Sequence, residues 1–359
     1  MDQKDGSNRP LEAVGTAICD ILTSFESVQE NILFQQIGTA QEELKAGVET
    51  SLETINDLVA ELDPESLGPE FIDTLLRALK HLADGYETFL RRDQDFSLSF
   101  LSMRRDFCRA ADLLYSLKSK VPRLNRYWLL DKREEATPLS NTAQNENHTG
   151  LITIEANSER AAYALYVPES YSEKEKWPLI VSLHGGYGRE TEYIWTWLRA
   201  ARSSSHIILA PKSLGVTWSI LEPEKDSRSI SQMIEEVSQN YSIDRSKILL
   251  TGLSDGGTFT YLFGLSQPEK FTALAPIAAA FHPMMDNLLR EGKGKDTPLM
   301  IVHGKHDNIF PVSTARSANE LFSHLDYAVT YKELPEWGHA YTYKINENIV
   351  LPWFLHVCR

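Results

Sequence analysis

The stretch Lys247-Ile248-Leu249-Leu250-Thr251-Gly252-Leu253-Ser254-Asp255-Gly256-Gly257 constrains this chain more than any other. Residues 247 to 251 read as a short buried strand and the segment after Gly257 is compatible with a helix, so the chain must reverse within a few residues. Such a reversal forces its apex into a strained backbone conformation and needs small neighbours, which Gly252, Gly256 and Gly257 supply. The Ser254 hydroxyl is thereby pushed out above the end of a sheet, where a base and a carbonyl can both reach it. Gly-x-Ser-x-Gly alone is a common pattern, and its meaning rests on what accompanies it.

Three further loops accompany it in a telling order. Pro178 to Leu183 reads as a buried strand that runs into His184-Gly185-Gly186-Tyr187-Gly188. Pro298 to His303 is another apolar strand, ending in Gly304-Lys305-His306-Asp307-Asn308-Ile309-Phe310-Pro311, which puts Asp307 on a loop. Val329 to Leu334 is followed by Pro335-Glu336-Trp337-Gly338-His339-Ala340, which puts His339 on the next loop along. A serine hydroxyl is a weak nucleophile until a base takes its proton. His339 is assigned that role, since it follows the last expected strand before a helix, whereas His356 lies inside the terminal helix. Asp307 would orient the imidazole and stabilise the imidazolium.

The order Ser254, Asp307, His339 resembles that of the α/β-hydrolases and differs from the trypsin-like and subtilisin-like orders. From about Leu151 to the C-terminus the chain is similar to α/β-hydrolases of the predicted-esterase type, a group that includes dienelactone hydrolases, acyl-protein thioesterases, feruloyl esterases and polyester depolymerases. The segment from Ile248 to Gly257, with Phe271 to Ile277 after it, carries the likeness most strongly. The resemblance implies a serine esterase that acts on a small-molecule acyl ester or thioester through a Ser-His-Asp triad and an acyl-enzyme. It also implies an oxyanion hole made by the Asp255 N–H and by one from the 184–188 loop, Gly186 or Tyr187. His184 is expected to buttress that loop. Trp218, Phe281, His282, Phe310 and Trp337 lie on loops at the same sheet edge and are candidates for lining a pocket. No metal or organic cofactor is implied.

A chain of 359 residues exceeds the usual size of a single core, so two domains are expected. Up to about Arg133 strand signals are scarce. Helices are expected at Leu11 to Phe34, Ala40 to Leu62, Pro69 to Phe89 and Asp95 to Lys120, with apolar stripes such as Val14, Ala17, Ile21, Phe25, Val28 and Ile32. This half carries no catalytic motif, and its arginine-rich stretch from Arg91 to Arg133 reads as a solvated face balanced by neighbouring aspartates. It is a candidate surface for homo-oligomer assembly. The polar run Glu134 to His148 reads as a linker, with a boundary near residue 140. Residues 1–140 would then be an all-α helical domain plus linker, and 141–359 an α/β domain with a mostly parallel sheet flanked by helices.

That domain should open with an antiparallel pair, Leu151 to Glu155 and Ala162 to Val167. Strands are then expected at 178–183, 206–210, 247–251, 272–279, 298–303 and 328–334, with helices between them. Only about 16 residues separate Phe281 from Pro298, too few for an inserted helical cap.

The net charge of −14 disfavours binding to nucleic acid or an anionic membrane surface. No apolar run is long enough to cross a bilayer, so membrane insertion is not expected. The polar first ten residues lack the apolar core of a secretory signal, and the three scattered cysteines fit reduced thiols; both point to the cytoplasm. Two other readings remain open on sequence: a serine peptidase of the prolyl-oligopeptidase type, and a non-catalytic module that uses the hydrolase fold for interaction.

Overall fold

A computed structural model of the chain describes residues 8–33, 35–91, 95–130, 149–282 and 285–358. The expected linker, Phe34, and Arg92 with Asp93 of the arginine-rich stretch lie outside them. The chain divides into two compact units, residues 1–134 and 135–359.

In the first unit the described elements are helical: α1 (Asn8–Asn31), α2 (Ile37–Ala60), α3 (Pro64–Leu67), α4 (Pro69–Leu90), α5 (Phe96–Ser116) and α6 (Pro122–Tyr127). Helix α1 pairs with α2 and α4 with α5. Apolar residues at three- and four-residue steps bury one stripe of each helix: Val14, Ile18, Ile21, Phe25 and Val28 on α1, with Ile32 just past its end, and Leu44, Val48 and Ile55 on α2. Phe25 and Phe107 stack at 5.9 Å and tie the two hairpins together. Asp95 caps α5 by accepting the Leu98 N–H, and Pro69 occupies the first turn of α4, where the missing N–H costs nothing. The expected second helix ends two residues early, at Ala60, because Asp63 and Pro64 start the new short helix α3.

The second unit is built on an eight-stranded sheet. Its strands are β1 (Gly150–Ile154), β2 (Tyr163–Val167), β3 (Trp177–Leu183), β4 (Ile207–Pro211), β5 (Ile243–Leu253), β6 (Ala273–Ile277), β7 (Leu299–Gly304) and β8 (Val329–Leu334). The spatial order is β1-β2-β4-β3-β5-β6-β7-β8. β2 runs antiparallel to both β1 and β4, and every other pair is parallel. Parallel strands need crossovers, which are provided by α7 (Glu190–Tyr193), α8 (Trp195–Ser204), α9 (Glu224–Asn240), α10 (Asp255–Ser266), α11 (Met285–Arg290) and α12 (Val312–His324). The chain closes with α13 (Tyr343–Ile345), a π-helical turn over Asn346–Val350, and α14 (Leu351–Val357).

Strands β2, β4, β6 and β7 are buried along their whole length, as expected of a sheet covered on both faces. β5 begins four residues before its expected start, because Ile243 pairs with Trp177 ahead of an irregularity in the β3–β5 register. β3, β4, β5, β7 and β8 all point the same way, so the loops that leave their C-terminal ends gather at one edge. Those loops hold His184 to Gly188, Ser213 to Trp218, Ser254, Asp307 and His339.

Candidate active site

Ser254 stands between β5 and α10 with φ 59° and ψ −122°, a strained conformation for a residue with a side chain. Its N–H donates to the Ile277 carbonyl of β6 at 2.9 Å, and its own carbonyl accepts the Thr258 N–H that begins α10. The elbow is therefore held from both sides. It also needs small residues: a Cβ on Gly256 would run into the Leu183 and His184 carbonyls, and one on Gly252 into the backbone of Gly256. The side chain of Ser254 is half-buried.

Asp307 and His339 meet across the loops after β7 and β8. The His339 Nδ1 lies 2.8 Å from Asp307 Oδ2, and the carboxylate is fully buried while the ring is nearly so. The other carboxylate oxygen accepts the Ile309 N–H at 3.0 Å and the Phe310 N–H at 2.8 Å. These backbone donors fix the carboxylate, which then selects the His339 tautomer with its proton on Nδ1 and leaves Nε2 as an acceptor. The Phe310 ring stands edge-on to the His339 ring, with centroids 5.6 Å apart.

The loop after β3 is anchored by His184. Its buried ring bonds the Gly185 carbonyl through Nδ1 at 2.7 Å and accepts the Ser213 N–H at Nε2 at 3.2 Å, which makes it the Nδ1–H tautomer. Burial lowers its pKa to about 4, so the ring is neutral. The expected buttress is thus realised. The Trp218 indole N–H donates to the His184 carbonyl at 2.7 Å.

Tyr187 has φ 58°, and its N–H donates to the Val216 carbonyl at 2.9 Å. That hydrogen bond corrects the expectation of Tyr187 as an oxyanion donor, because its N–H already has an acceptor. Asp255 opens α10, so its N–H is among the donors without an intrahelical partner. Its carboxylate accepts the Thr217 hydroxyl at 2.5 Å and abuts Gly186, where a Cβ would come within 2.8 Å of Oδ2. Gly186 is close-packed against the residue that follows Ser254.

The proposed pocket lining divides. Trp218 is buried and stacks on Phe259, so it belongs to the core and offers no surface to a ligand. Trp337 is also buried, and its carbonyl accepts the His306 N–H, which makes it a strut between the loops after β7 and β8. Both expectations are corrected by burial: each ring turns inward, and the Trp218 indole N–H is satisfied there by the His184 carbonyl. Phe281 is half-buried and packs edge-on against Tyr261 and Phe322. Phe310 stays beside His339.

Sequence reasoning missed the loop between β4 and α9. Buried Asp226 accepts the Leu214 N–H at 2.9 Å, the Ser219 N–H at 2.8 Å and the Ser219 hydroxyl at 2.7 Å, which stiffens this loop. It presents Leu214 and Val216 to solvent at 55% and 69% exposure, next to Tyr187 at 68%. The cue was available in the apolar Leu214 and Val216 flanking Gly215, but nothing in the sequence shows that they point outward. Buried His303, four residues before Asp307, was read only as part of a strand. Among the described residues there is no cluster of side chains suited to a metal ion, and no helix is long and apolar enough to cross a membrane.

Parts of the second unit are similar to known proteins. Residues 222–350 match the Phospholipase/Carboxylesterase family. A bifunctional acetylxylan esterase/xylanase of Neocallimastix patriciarum is 29% identical over 153 residues, which are 40% of this chain and 21% of that protein. A probable feruloyl esterase C of Aspergillus terreus is 26% identical over 157 residues, covering 42% of this chain and 56% of the relative. Among solved structures, S-formylglutathione hydrolase of Staphylococcus aureus aligns with a TM-score of 0.49 at 18% identity, over 59% of this chain and 98% of that one. The match thus spans about half the length of the feruloyl esterase and about a fifth of the bifunctional enzyme. Its sheet order, its serine elbow and the family match over residues 222–350 give the second unit an α/β-hydrolase fold similar to that of serine esterases.

Proposed function

We propose that the protein hydrolyses carboxylic esters or thioesters by acyl transfer through Ser254, His339 and Asp307. The observation that carries this reading is the 2.8 Å bond between His339 Nδ1 and a fully buried Asp307 carboxylate, on the same sheet edge as the strained Ser254. His339 Nε2 takes the Ser254 proton as Oγ attacks the acyl carbon, and the carbonyl oxygen becomes an oxyanion. The Asp255 and Gly186 N–H groups receive that charge, each contributing about 3 kcal/mol to lowering the barrier. Collapse expels the alcohol or thiol, which leaves with the proton from His339. Water then attacks the acyl-enzyme with His339 again as base, releasing the acid and restoring Ser254.

In this account residues 1–140 form a separate helical domain and supply no reacting group. The names of the relatives favour esters over peptides as substrates. The direct test is a p-nitrophenyl ester series of increasing acyl length beside a matched thioester panel. Hydrolysis of at least one short ester, abolished in Ser254→Ala, is expected; an unreactive folded protein across both panels contradicts the reading.

A further inference from the structure

His303 is the penultimate residue of β7, and its side chain is completely buried. Its Nε2 lies 2.8 Å from the Phe310 carbonyl and 3.3 Å from Asp307 Oδ2, the oxygen that also faces His339. Both neighbours are acceptors, so Nε2 carries the proton and Nδ1 is bare. Nδ1 is buried without a hydrogen-bond partner among the described residues. An apolar side chain of similar volume would avoid that desolvation cost, so the imidazole is retained for what Nε2–H does.

We propose that His303 is a positioning residue of the hydrolytic site, whose Nε2–H grips the Phe310 carbonyl beside Asp307 Oδ2 and thereby sets the orientation and basicity of His339. This rests on the reading of Asp307 and His339 given above.

Three donors reach the Asp307 carboxylate, the Ile309 and Phe310 N–H groups on one oxygen and His339 on the other, and the His303 Nε2 lies 3.3 Å from that second oxygen. His303 also grips Phe310 from the carbonyl side, so the turn from Asp307 to Phe310 is pinned at both ends. The charged or titratable groups that face His303 are Asp307, His339 and Glu333, the last on β8. Burial holds the His303 ring below the usual histidine range, which favours the neutral form. Without that donor, Oδ2 carries more unshared charge and binds the His339 imidazolium more strongly. The base then stays protonated to higher pH, and its ring is less well aimed.

The experiment compares His303→Gln, which keeps an N–H near the Nε2 position, with His303→Met, which fills the volume with no donor. Folding is checked by near-ultraviolet circular dichroism. In His303→Met, kcat should fall about tenfold with KM within about twofold, and the acid limb of the pH–rate profile should move up by about half a pH unit. His303→Gln should recover most of the rate and the wild-type acid limb. Equal loss in both variants, or an unshifted profile in His303→Met, overturns the proposal and leaves His303 as core packing. Nitrogen-15 correlation spectra of the wild-type protein test it independently of any variant. At pH 8 they should show His303 neutral with its proton on Nε2, and an Nδ1–H tautomer or a charged ring there overturns the proposal. An inactive wild-type protein with the Nε2–H tautomer would count against the hydrolase reading and leave the His303 geometry standing.

Discussion

The Tyr187 N–H is bound to the Val216 carbonyl at 2.9 Å, which joins the loop after β3 to the loop after β4. The bond occupies the Tyr187 N–H, and Gly186, packed near the Asp255 carboxylate, is the proposed oxyanion donor of this loop.

Gly186→Ala should therefore lower kcat by about 10- to 100-fold on a small activated ester, with little change in KM. Its added Cβ would lie 2.8 Å from Asp255 Oδ2, so either the loop or that carboxylate, which is tied to Thr217, must shift beside the oxyanion position. Combining it with Asp255→Ser removes the obstructing oxygen and should recover part of the rate. Tyr187→Ala keeps its backbone N–H and should stay within about threefold of wild type. Steady-state kinetics on the four proteins decide this; a larger loss in Tyr187→Ala than in Gly186→Ala contradicts the assignment.

Asp307→Asn should leave the fold intact and cut turnover by about 10⁴-fold, because an amide can present its NH₂ to His339 Nδ1 and favour the wrong tautomer. The two backbone donors on Oδ1 hold the side chain whether or not it is charged. Turnover within about tenfold of wild type in folded Asp307→Asn would remove Asp307 from the mechanism.

What the sequence reveals follows from how local each constraint is. The reversal around Ser254 is legible because three glycines and a preceding apolar strand leave one geometry, and the structure puts φ at 59° there. The placement of Asp307 and His339 at successive strand ends is legible for the same reason. Trp218 and Trp337 are misread as lining because a loop position does not say which way a ring turns; that depends on the His184 carbonyl, Phe259 and the neighbouring loop. The choice between Gly186 and Tyr187 depends on the Val216 carbonyl, 29 residues downstream, and Asp226 stiffens its loop through contacts no short motif encodes. In the helical unit periodicity locates the long helices well, whereas the short α6 lacks enough turns to show a stripe.

His184 links stability to acidity. Its pKa is about 4 in the folded state against about 6.5 for an ordinary histidine, so between those values the unfolded chain binds a proton that the folded one refuses. Its contribution is fully present above about pH 6.5 and falls as pH drops towards 4, by about 3 kcal/mol in all. Urea unfolding of wild type and the non-titrating His184→Asn at pH 7.0, 5.5 and 4.5 isolates this part from the carboxylates. The stability gap between them should narrow as pH falls, and a constant gap contradicts a neutral buried His184.

The division of labour between the two units predicts that residues 135–359, if they fold alone, retain chemistry. Expressed alone, this segment should hydrolyse a small activated ester within about tenfold of the full chain once circular dichroism confirms its sheet. Loss of hydrolysis in a well-folded segment would show that the helical unit supplies part of the site.

The central claim is that Ser254 is an activated nucleophile. The most direct measurement is reaction of the intact protein with a fluorophosphonate, followed by mass spectrometry of the peptides. The account predicts one adduct per chain, on Ser254, at a rate that falls sharply in His339→Ala; a folded protein left unmodified, or modified elsewhere with Ser254 free, contradicts it.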